Sequence, residues 1–329
     1  MKKMCVWKKG IIVLTTAALA IGLAACGSTG SGEIQKPTNV STAGSNRNEA
    51  TSNVPSEANK TEEKTKPTAE PTPAVETPKP AKAEISETVL VDEAGVKITA
   101  KSLSDGSFFG PELKILIENN SGTDLTFQCR NSSVNGYMVE TMMSADVANG
   151  KKASDSITFM DSGLELAGIK DIADMEFSFH IFTTDDWDTY LDTDLIQLKT
   201  SIADTYTYEF DDSGDLACDT NGIKIVVKGL SEDSSIFGPS VVVYIENSST
   251  QNVTVQVRNV SINGFMVDDM FSCDVDTGKH AIDTITFMSS DLEENEIEKI
   301  EDVELSFHIF NFETWDTIAD TEPVVITFG

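Results

Sequence analysis

Two histidines stand at equivalent places in a sequence block that occurs twice. Ser-Phe-His-Ile-Phe covers residues 178–182 and again 306–310, and Trp-Asp-Thr follows each copy after four residues. His180 and His308 are the residues of this block that could serve as a general base or a metal ligand, but either role needs converging partners. The third histidine, His280, aligns with Lys152, so no histidine cluster is repeated. The sequence favours hydrogen-bonded strand histidines and predicts no catalytic residue, metal ligand or cofactor site.

The tryptophans of the block, Trp187 and Trp315, have two interpretations. The exposed face of an indole can stack on a pyranose ring, because the indole is a flat apolar surface with a polar group at its edge. A tryptophan directly after the edge of a β-sandwich can also close the end of the core, and the Asp and Thr behind it suit a tight turn. We favour the second interpretation and expect both rings to plug the core.

A second repeated set of residues is polar and faces away from the apolar side of two predicted strands. Its members are Thr126, Gln128, Arg130, Glu176 and His180, which recur as Thr254, Gln256, Arg258, Glu304 and His308. A solvated face tolerates substitution, so identity between the copies indicates a partner surface. The alternative is a structural network in which each arginine pairs with a carboxylate, and the sequence leaves both open.

The elements that carry these residues belong to two copies of one unit. Residues 109–201 align with 237–329 at a shift of 128 without a gap, and about 45 of the 93 positions are identical. A unit of this size is far longer than a solenoid repeat and matches an ordinary β-sandwich domain. We therefore expect domains at 84–205 and 206–329, called here the first and second repeats.

Alternation with period two dominates both repeats. Leu113, Ile115 and Ile117 alternate with charged residues, as do Phe177 and Phe179 with polar ones, which indicates strands with one buried face. Asn-Gly at 135–136 and 263–264 predicts type I′ hairpins. Ser162-x-x-Glu165 and Ser290-x-x-Glu293 predict one short capped helix per repeat. The sequence predicts an all-β chain with two tandem immunoglobulin-like β-sandwich domains.

The N-terminus has the pattern of an export signal. Lysines precede an apolar run from Ile11 to Leu23, and Leu23-Ala24-Ala25-Cys26 follows. These four residues resemble the lipobox of bacterial lipoproteins. The resemblance implies that residues 1–25 are removed and that Cys26 carries a lipid anchor. The alternative is an ordinary signal peptide in which Cys26 has no role. The two repeats also resemble uncharacterised immunoglobulin-like modules of Gram-positive-type surface lipoproteins, a resemblance that brings no catalytic motif.

Residues 26–83 have the composition of a disordered tether. From Gly27 to Ala83 there is no aromatic residue, and seven of the chain's ten prolines fall there. Such a stretch buries too little apolar surface to offset the entropy lost on ordering. We predict disorder for the whole segment, with stiff extended portions where proline is frequent.

Charge and cysteine content restrict the function further. Residues 84–329 hold 47 Asp and Glu against 13 Lys and Arg, a formal net charge of −34, which excludes nucleic acid binding. Clusters such as Asp185–Asp194 could hold Ca²⁺, but none fits the twelve-residue calcium loop. The odd number of cysteines after Cys26 favours free thiols at Cys129, Cys218 and Cys273, and a Cys218–Cys273 disulfide stays open.

Together these features predict a lipoprotein anchored in the cell membrane through Cys26, with its domains on the extracellular side. We expect a non-catalytic binding or structural module for an envelope protein or a glycan. The alternatives are an enzyme or accessory subunit acting on cell-wall material, and a Ca²⁺-dependent adhesion module.

Overall fold

A computed structural model describes residues 34–43, 82–231 and 237–329. The predicted signal peptide, Cys26 and most of the predicted tether lie outside these ranges. Within them strands predominate and the helices are few and short, so the predicted all-β class is confirmed, and its antiparallel sheets are consistent with β-sandwiches. No helix in the described ranges is both long and apolar enough to cross a membrane.

The described elements fall in three stretches of the chain. Strand β1 covers Pro37–Thr42. The first repeat contains β2 (Thr88–Glu93), β3 (Val96–Ser107), β4 (Gly110–Asn119), β5 (Leu125–Val134), β6 (Tyr137–Met138), β7 (Thr141–Met142), β8 (Ser144–Val147), β9 (Lys151–Phe159), α1 (Asp161–Leu166), β10 (Asp174–Thr183), β11 (Thr189–Asp192) and β12 (Ile196–Lys199). The second repeat contains β13 (Asp215–Thr220), β14 (Ile223–Ser231), β15 (Ser240–Asn247), β16 (Val253–Ile262), β17 (Phe265–Met266), β18 (Asp269–Met270), β19 (Ser272–Val275), β20 (His280–Phe287), α2 (Ser289–Glu294), β21 (Asp302–Asn311), β22 (Thr317–Asp320) and β23 (Val324–Phe328).

These strands form three sheets. One has the order β2-β3-β4-β9-β7, and another has β1-β23-β21-β16-β17 with β19 on β16 and β22 on β21. The third runs β11-β10-β5-β6-β20-β15-β14-β13, with β12 on β10, β18 on β20 and β8 on β5. Because β6 belongs to the first repeat and β20 to the second, this eleven-stranded sheet crosses from one repeat into the other.

The alternation predicted from sequence sets which side chains are buried. Leu113, Ile115 and Ile117 of β4 and Phe177 and Phe179 of β10 are at most 1% exposed. The buried residues divide into two hydrophobic clusters, one made by the second repeat and one made chiefly by the first. Val226 and Tyr244 of the second repeat belong to the cluster of the first. The two copies therefore share apolar contacts where they meet.

Both Asn-Gly hairpins form as predicted. Asn135 and Gly136 have φ of 51° and 84°, and Val134 pairs with Tyr137 across the turn. Positive φ at both central residues is the condition for a type I′ turn. The second repeat has the same turn at Asn263-Gly264, with φ of 51° and 83°.

The predicted helices exist, but the predicted capping boxes are wrong. Helices α1 and α2 begin at Asp161 and Ser289, after Met160 and Met288, and neither has a side-chain cap. The physical reason is a backbone partner from a neighbouring loop. The amide of Asp161 donates to the Phe109 carbonyl at 2.8 Å, and Ser289 donates to Phe237 at 2.8 Å. A first-turn donor that is already satisfied needs no serine cap.

The prediction of disorder is wrong for residues 34–43. Strand β1 pairs antiparallel with β23, for example Val40 with Ile326 and Thr42 with Val324. Its composition is as polar as the rest of the tether, but an existing sheet edge supplies the backbone hydrogen bonds. Val40 also packs against the core of the second repeat. The β23 edge thus orders a segment whose own sequence favours disorder.

A set of six residues joins the two repeats, and we call it the inter-repeat joint: Tyr137, Glu176, Phe210, Tyr244, Lys279 and His280. Glu176 Oε2 and Lys279 Nζ form an ion pair of 2.7 Å in which both side chains are 15% exposed. The His280 ring stacks on Phe210, with centroids 3.7 Å apart. Burial lowers the pKa of His280, so its neutral ring can accept the hydrogen bond from the Tyr244 hydroxyl at 2.6 Å.

The aromatic residues of the joint differ between the copies, whereas Glu176 and Lys279 have the identical counterparts Glu304 and Lys151. Tyr137 pairs in parallel with His280 and is 3% exposed, whereas its counterpart Phe265 is 48% exposed. His280 itself stands where the first repeat has Lys152. The duplicated units have therefore diverged in the aromatic part of this contact.

The three cysteines in the described ranges are free thiols, as predicted from the odd number of cysteines after Cys26. Burial raises the pKa of Cys129 and of Cys218 to about 11, and raises that of Cys273 well above its ordinary value. A thiol with a raised pKa holds little thiolate at neutral pH and is a poor nucleophile.

Candidate functional site

Both repeated histidines lie on an interior strand of a sheet, and each pairs with an aspartate on a neighbouring strand. His180 on β10 lies opposite Asp192 on β11, and Nδ1 is 2.5 Å from the Asp192 carboxylate. His308 and Asp320 repeat the arrangement at 2.6 Å. A carboxylate only accepts hydrogen bonds, so Nδ1 carries the proton and Nε2 takes no part in this pair. The pairing makes each ring a fixed hydrogen-bonding group.

Each histidine begins a row of rings on the outer face of its sheet, and we call this row the aromatic ladder. In the first repeat His180 lies 5.2 Å from Phe182, and Phe182 stacks on Trp187 at 5.4 Å with an interplanar angle of 16°. In the second repeat His308, Phe310 and Trp315 are spaced 5.1 Å and 5.4 Å, and the last two rings meet at 15°. The two ladders thus have nearly the same geometry.

The predicted role of the tryptophans as core plugs is wrong. Trp187 is 72% exposed and Trp315 is 74% exposed. Each contacts a phenylalanine that is buried yet belongs to neither core cluster. One face of each indole covers the outer-face phenylalanine, and the exposure shows that most of the ring meets solvent. The prediction that each tryptophan directly follows its strand is confirmed, but the ring lies on the outer face of the sheet and not at the end of the core.

Both tryptophans hold a strained backbone conformation. Their φ angles are 62° and 64°, in the left-handed region that bulky residues rarely adopt. The amide of Trp187 donates to Thr183 at 3.0 Å and that of Trp315 donates to Asn311 at 2.9 Å, so a closed turn fixes each ring. Such strain persists where the surroundings enforce it and is frequent at binding sites.

The polar residues predicted as a partner surface lie beside the ladders on the adjoining strand. Gln128 and Arg130 on β5 pair with His180 and Ser178 on β10, and Gln256 and Arg258 on β16 pair with His308 and Ser306 on β21. Arg130 Nη2 donates to Gln128 Oε1 at 3.1 Å, whereas Arg258 lies 3.6 Å from the Asp320 carboxylate. The proposed arginine–carboxylate network is thus seen for one of the two arginines.

The threonines of the set are nearly covered. Thr126 is 7% exposed and donates to Asp146 at 2.7 Å, and Thr254 is 4% exposed and donates to Asp274 at 2.6 Å. Both lie opposite the phenylalanine of their ladder. They support the ladder from the neighbouring strand and offer little surface of their own.

The glutamates of the set stand apart from the ladders. Glu176 belongs to the inter-repeat joint and pairs with Lys279. Glu304 lies four residues before His308 on β21, opposite Ser261 of β16. A hydrolytic site at these residues would require the His180 and Glu176 side chains to converge. They do not converge, because Glu176 pairs with Lys279. Within the described ranges, neither histidine Nε2 has a hydroxyl or thiol at hydrogen-bonding distance.

A cavity of about 470 Å³ lies elsewhere, in the second repeat. Phe237, Met270, Asp283 and Thr284 are among the residues that line it. Burial raises the pKa of Asp283 to about 6. Neither ladder histidine lines this cavity, so the perturbed carboxylate and the repeated block are separate features.

The acidic clusters show no metal site in the part of the chain that is described. No group of three or more His, Cys, Asp or Glu side chains is placed there to hold an ion. Lys228 pairs with Asp211, and Lys224 pairs with Asp212. The cations beside these carboxylates lower the pKa of both, that of Asp211 to about 2. Two acidic residues of the cluster at 211–215 are thus engaged by lysines.

Comparison with known proteins adds no family. No family model matches the chain, and no curated protein matches it. Among solved structures, the chain is similar to the YadV chaperone at 10% identity, over 64% of this chain and 90% of that one, with a TM-score of 0.21. A TM-score this low supports no argument about function.

Proposed function

We propose that the protein is a lipoprotein anchored in the cell membrane through Cys26, whose two immunoglobulin-like repeats bind an envelope glycan without catalysis. The observation that carries the ligand class is the duplicated ladder with its exposed tryptophan. An indole that is more than 70% exposed in both copies and held in a strained conformation offers a flat apolar face for a sugar ring. The anchor and the extracellular location are supported by the lipobox and the apolar run before it.

The neighbours of the ladder suit hydroxyl groups better than an apolar protein surface. The His180–Asp192 and His308–Asp320 pairs, with Gln128 and Gln256 nearby, supply donors and acceptors on the same face. Sites for small ligands commonly combine an aromatic contact with a few fixed polar groups. A sugar stacked on the tryptophan would bring its ring substituents toward such groups.

Charge narrows the class of glycan. Residues 84–329 carry a formal net charge of −34, so an anionic polymer would be repelled at moderate ionic strength. A neutral or basic polysaccharide would not be repelled by this negative charge. We therefore expect a neutral or amino-sugar polymer as the ligand.

The binding test uses chitin, chitosan and dextran sulfate as neutral, basic and anionic probes. We expect retention on chitin or chitosan, loss of retention in Trp187→Ala/Trp315→Ala, and no retention on dextran sulfate. Phe265→Ala is the matched control, because Phe265 is exposed and aromatic but lies off the ladder. Equal retention of the double variant and the wild type would contradict the proposal.

The anchoring test is separate. Cys26→Ala should move the protein from the membrane fraction to the medium, because the acyl chains provide its membrane affinity. The readout is an immunoblot of both fractions. A variant that stays membrane-bound would refute the anchor but not the glycan site.

A further inference from the structure

The tether segment 34–43 is held on the second repeat by contacts at two edges. Strand β1 pairs with β23, and just before it Gln35 exchanges two backbone hydrogen bonds of 2.8 Å with Leu230 on β14. Gln35 Nε2 also donates to the Gly329 carbonyl at 2.5 Å. Since β14 and β23 belong to different sheets, the segment bridges the two sheets of this repeat.

Two glycines make room for the segment. A Cβ at Gly229 would lie 2.3 Å from Ile34 Cγ2, and a Cβ at Gly329 would lie 2.7 Å from Thr38 Cγ2. The equivalent residues of the first repeat are Ser102 and Ser201. The same segment would therefore clash on the first repeat, so the contact is specific to the second.

The burial of the edge strands agrees with this difference. Val324 and Ile326 on β23 are 1% and 0% exposed, whereas Leu198 on β12 is 6% exposed and Ile196 is only half-buried. In the ranges that the structure describes, β12 pairs with β10 and has no strand on its other side. The β23 edge is covered because β1 lies on it.

We infer that the β23 edge is a binding site for the chain's own tether, and that this contact holds the second repeat on the membrane side. The inference rests on the lipid anchor at Cys26 proposed above. Gln35 lies nine positions after Cys26, a maximum reach of about 30 Å. Without the contact, the first attachment to a folded repeat would be at Glu84, with a reach of about 200 Å.

The contact reverses the order expected from the sequence. A tether that ended at the first repeat would place that repeat nearest the bilayer. With β1 bound to β23, the C-terminal repeat is nearest, and the first repeat is carried beyond it through the inter-repeat joint. The ladder of the first repeat is then the one presented farthest from the membrane.

The native tryptophans provide the test, since residues 26–329 contain one in each repeat, Trp187 and Trp315. The lipidated protein is reconstituted into phosphatidylcholine vesicles that contain a dansyl-labelled lipid. Trp187→Phe leaves the reporter of the second repeat, and energy transfer from Trp315 to the lipid is measured. Adding Val40→Asp places a charge against the core and should release β1, so we expect that transfer to be lost.

Two further variants make the outcome decisive. Val54→Asp introduces the same change in a tether valine outside β1 and should leave transfer unchanged. Ser41→Cys/Val325→Cys joins residues that are directly paired between β1 and β23, and it should restore transfer in the Val40→Asp background once oxidised. Transfer that is unchanged by Val40→Asp would overturn the inference. Protein that fails to partition with the vesicles would instead refute the anchor.

Discussion

Glu176 and Lys279 form an ion pair of 2.7 Å across the boundary between the two repeats, with each side chain 15% exposed. The residue that sequence identity placed on a partner surface thus binds the neighbouring repeat. The carboxylate also accepts a hydrogen bond from Gln197 at 3.2 Å. A carboxylate that is largely removed from solvent depends on its ion-pair partner for stabilisation.

Lys279→Ala should lower the free energy of unfolding by about 3 kcal/mol, because it leaves the Glu176 carboxylate enclosed and unpaired. Urea denaturation gives the value. Glu304→Ala is the matched control, since Glu304 has no ion pair among the described residues. The double variant Glu176→Ala/Lys279→Ala should cost less than the sum of the single changes. Additive losses would show that the two charges do not interact.

Trp187→Gly should change the free energy of unfolding by no more than about 1 kcal/mol. Losing the stack on Phe182 costs about 0.5–1.5 kcal/mol, and removing the left-handed strain at φ 62° returns about 1–2 kcal/mol. Thermal denaturation measures the balance. Phe182→Ala, in the buried ring beneath, should cost about 3 kcal/mol or more. A large loss in Trp187→Gly would mean that the indole is a structural residue.

Asp283→Asn should stabilise the protein at pH 7 by about 2–3 kcal/mol. Burial raises the pKa of Asp283 to about 6, above its value of about 3.9 in an unfolded chain. The folded state therefore binds the proton more tightly, and its advantage is present below pH 4 and lost as the pH rises to 6. Denaturation curves from pH 4 to 7 should show the variant and the wild type converging at the acid end.

Asp186→Asn serves as the control for that series, because it removes one negative charge from an exposed loop residue. It separates a general effect of net charge from the burial of Asp283. A stability difference for Asp283→Asn that is the same at pH 4 and pH 7 would contradict the assignment.

A chain of residues 27–329 should react with iodoacetamide at pH 8 about 100-fold more slowly than a free thiol does, because burial raises the pKa of Cys129 and of Cys218 to about 11. After unfolding in urea without reductant, three thiols should be labelled, as counted by mass spectrometry. Only one would be labelled if Cys218 and Cys273 formed a disulfide.

Local patterns in the sequence were sufficient to predict the strands and turns. Phe179 and Ile181 are buried where alternation placed them, and Asn135-Gly136 turns as its φ preferences require. In each case the residue type and its immediate neighbours decide the conformation, and no distant contact competes.

Features that depend on distant contacts could not be predicted in this way. Strand β1 forms because Val40 meets Ile326, a residue 286 positions later. Trp187 lies on the outer face because of a left-handed turn that its sequence does not favour. The sequence did contain one indication of the joint. Val242 and Tyr244 are hydrophobic at positions where strict alternation would place polar residues. Of their counterparts in the first repeat, Lys114 is charged and only Leu116 is hydrophobic.

The joint also gives the chain a direction. Tyr244 and His280 occur only in the second copy, where the first has Leu116 and Lys152. A chain with the copies in the opposite order would set Phe265 against Leu116 and Lys152, and the ring stack would have no histidine. The two halves are therefore no longer interchangeable, and the duplicated gene encodes a matched pair whose order is part of its fold.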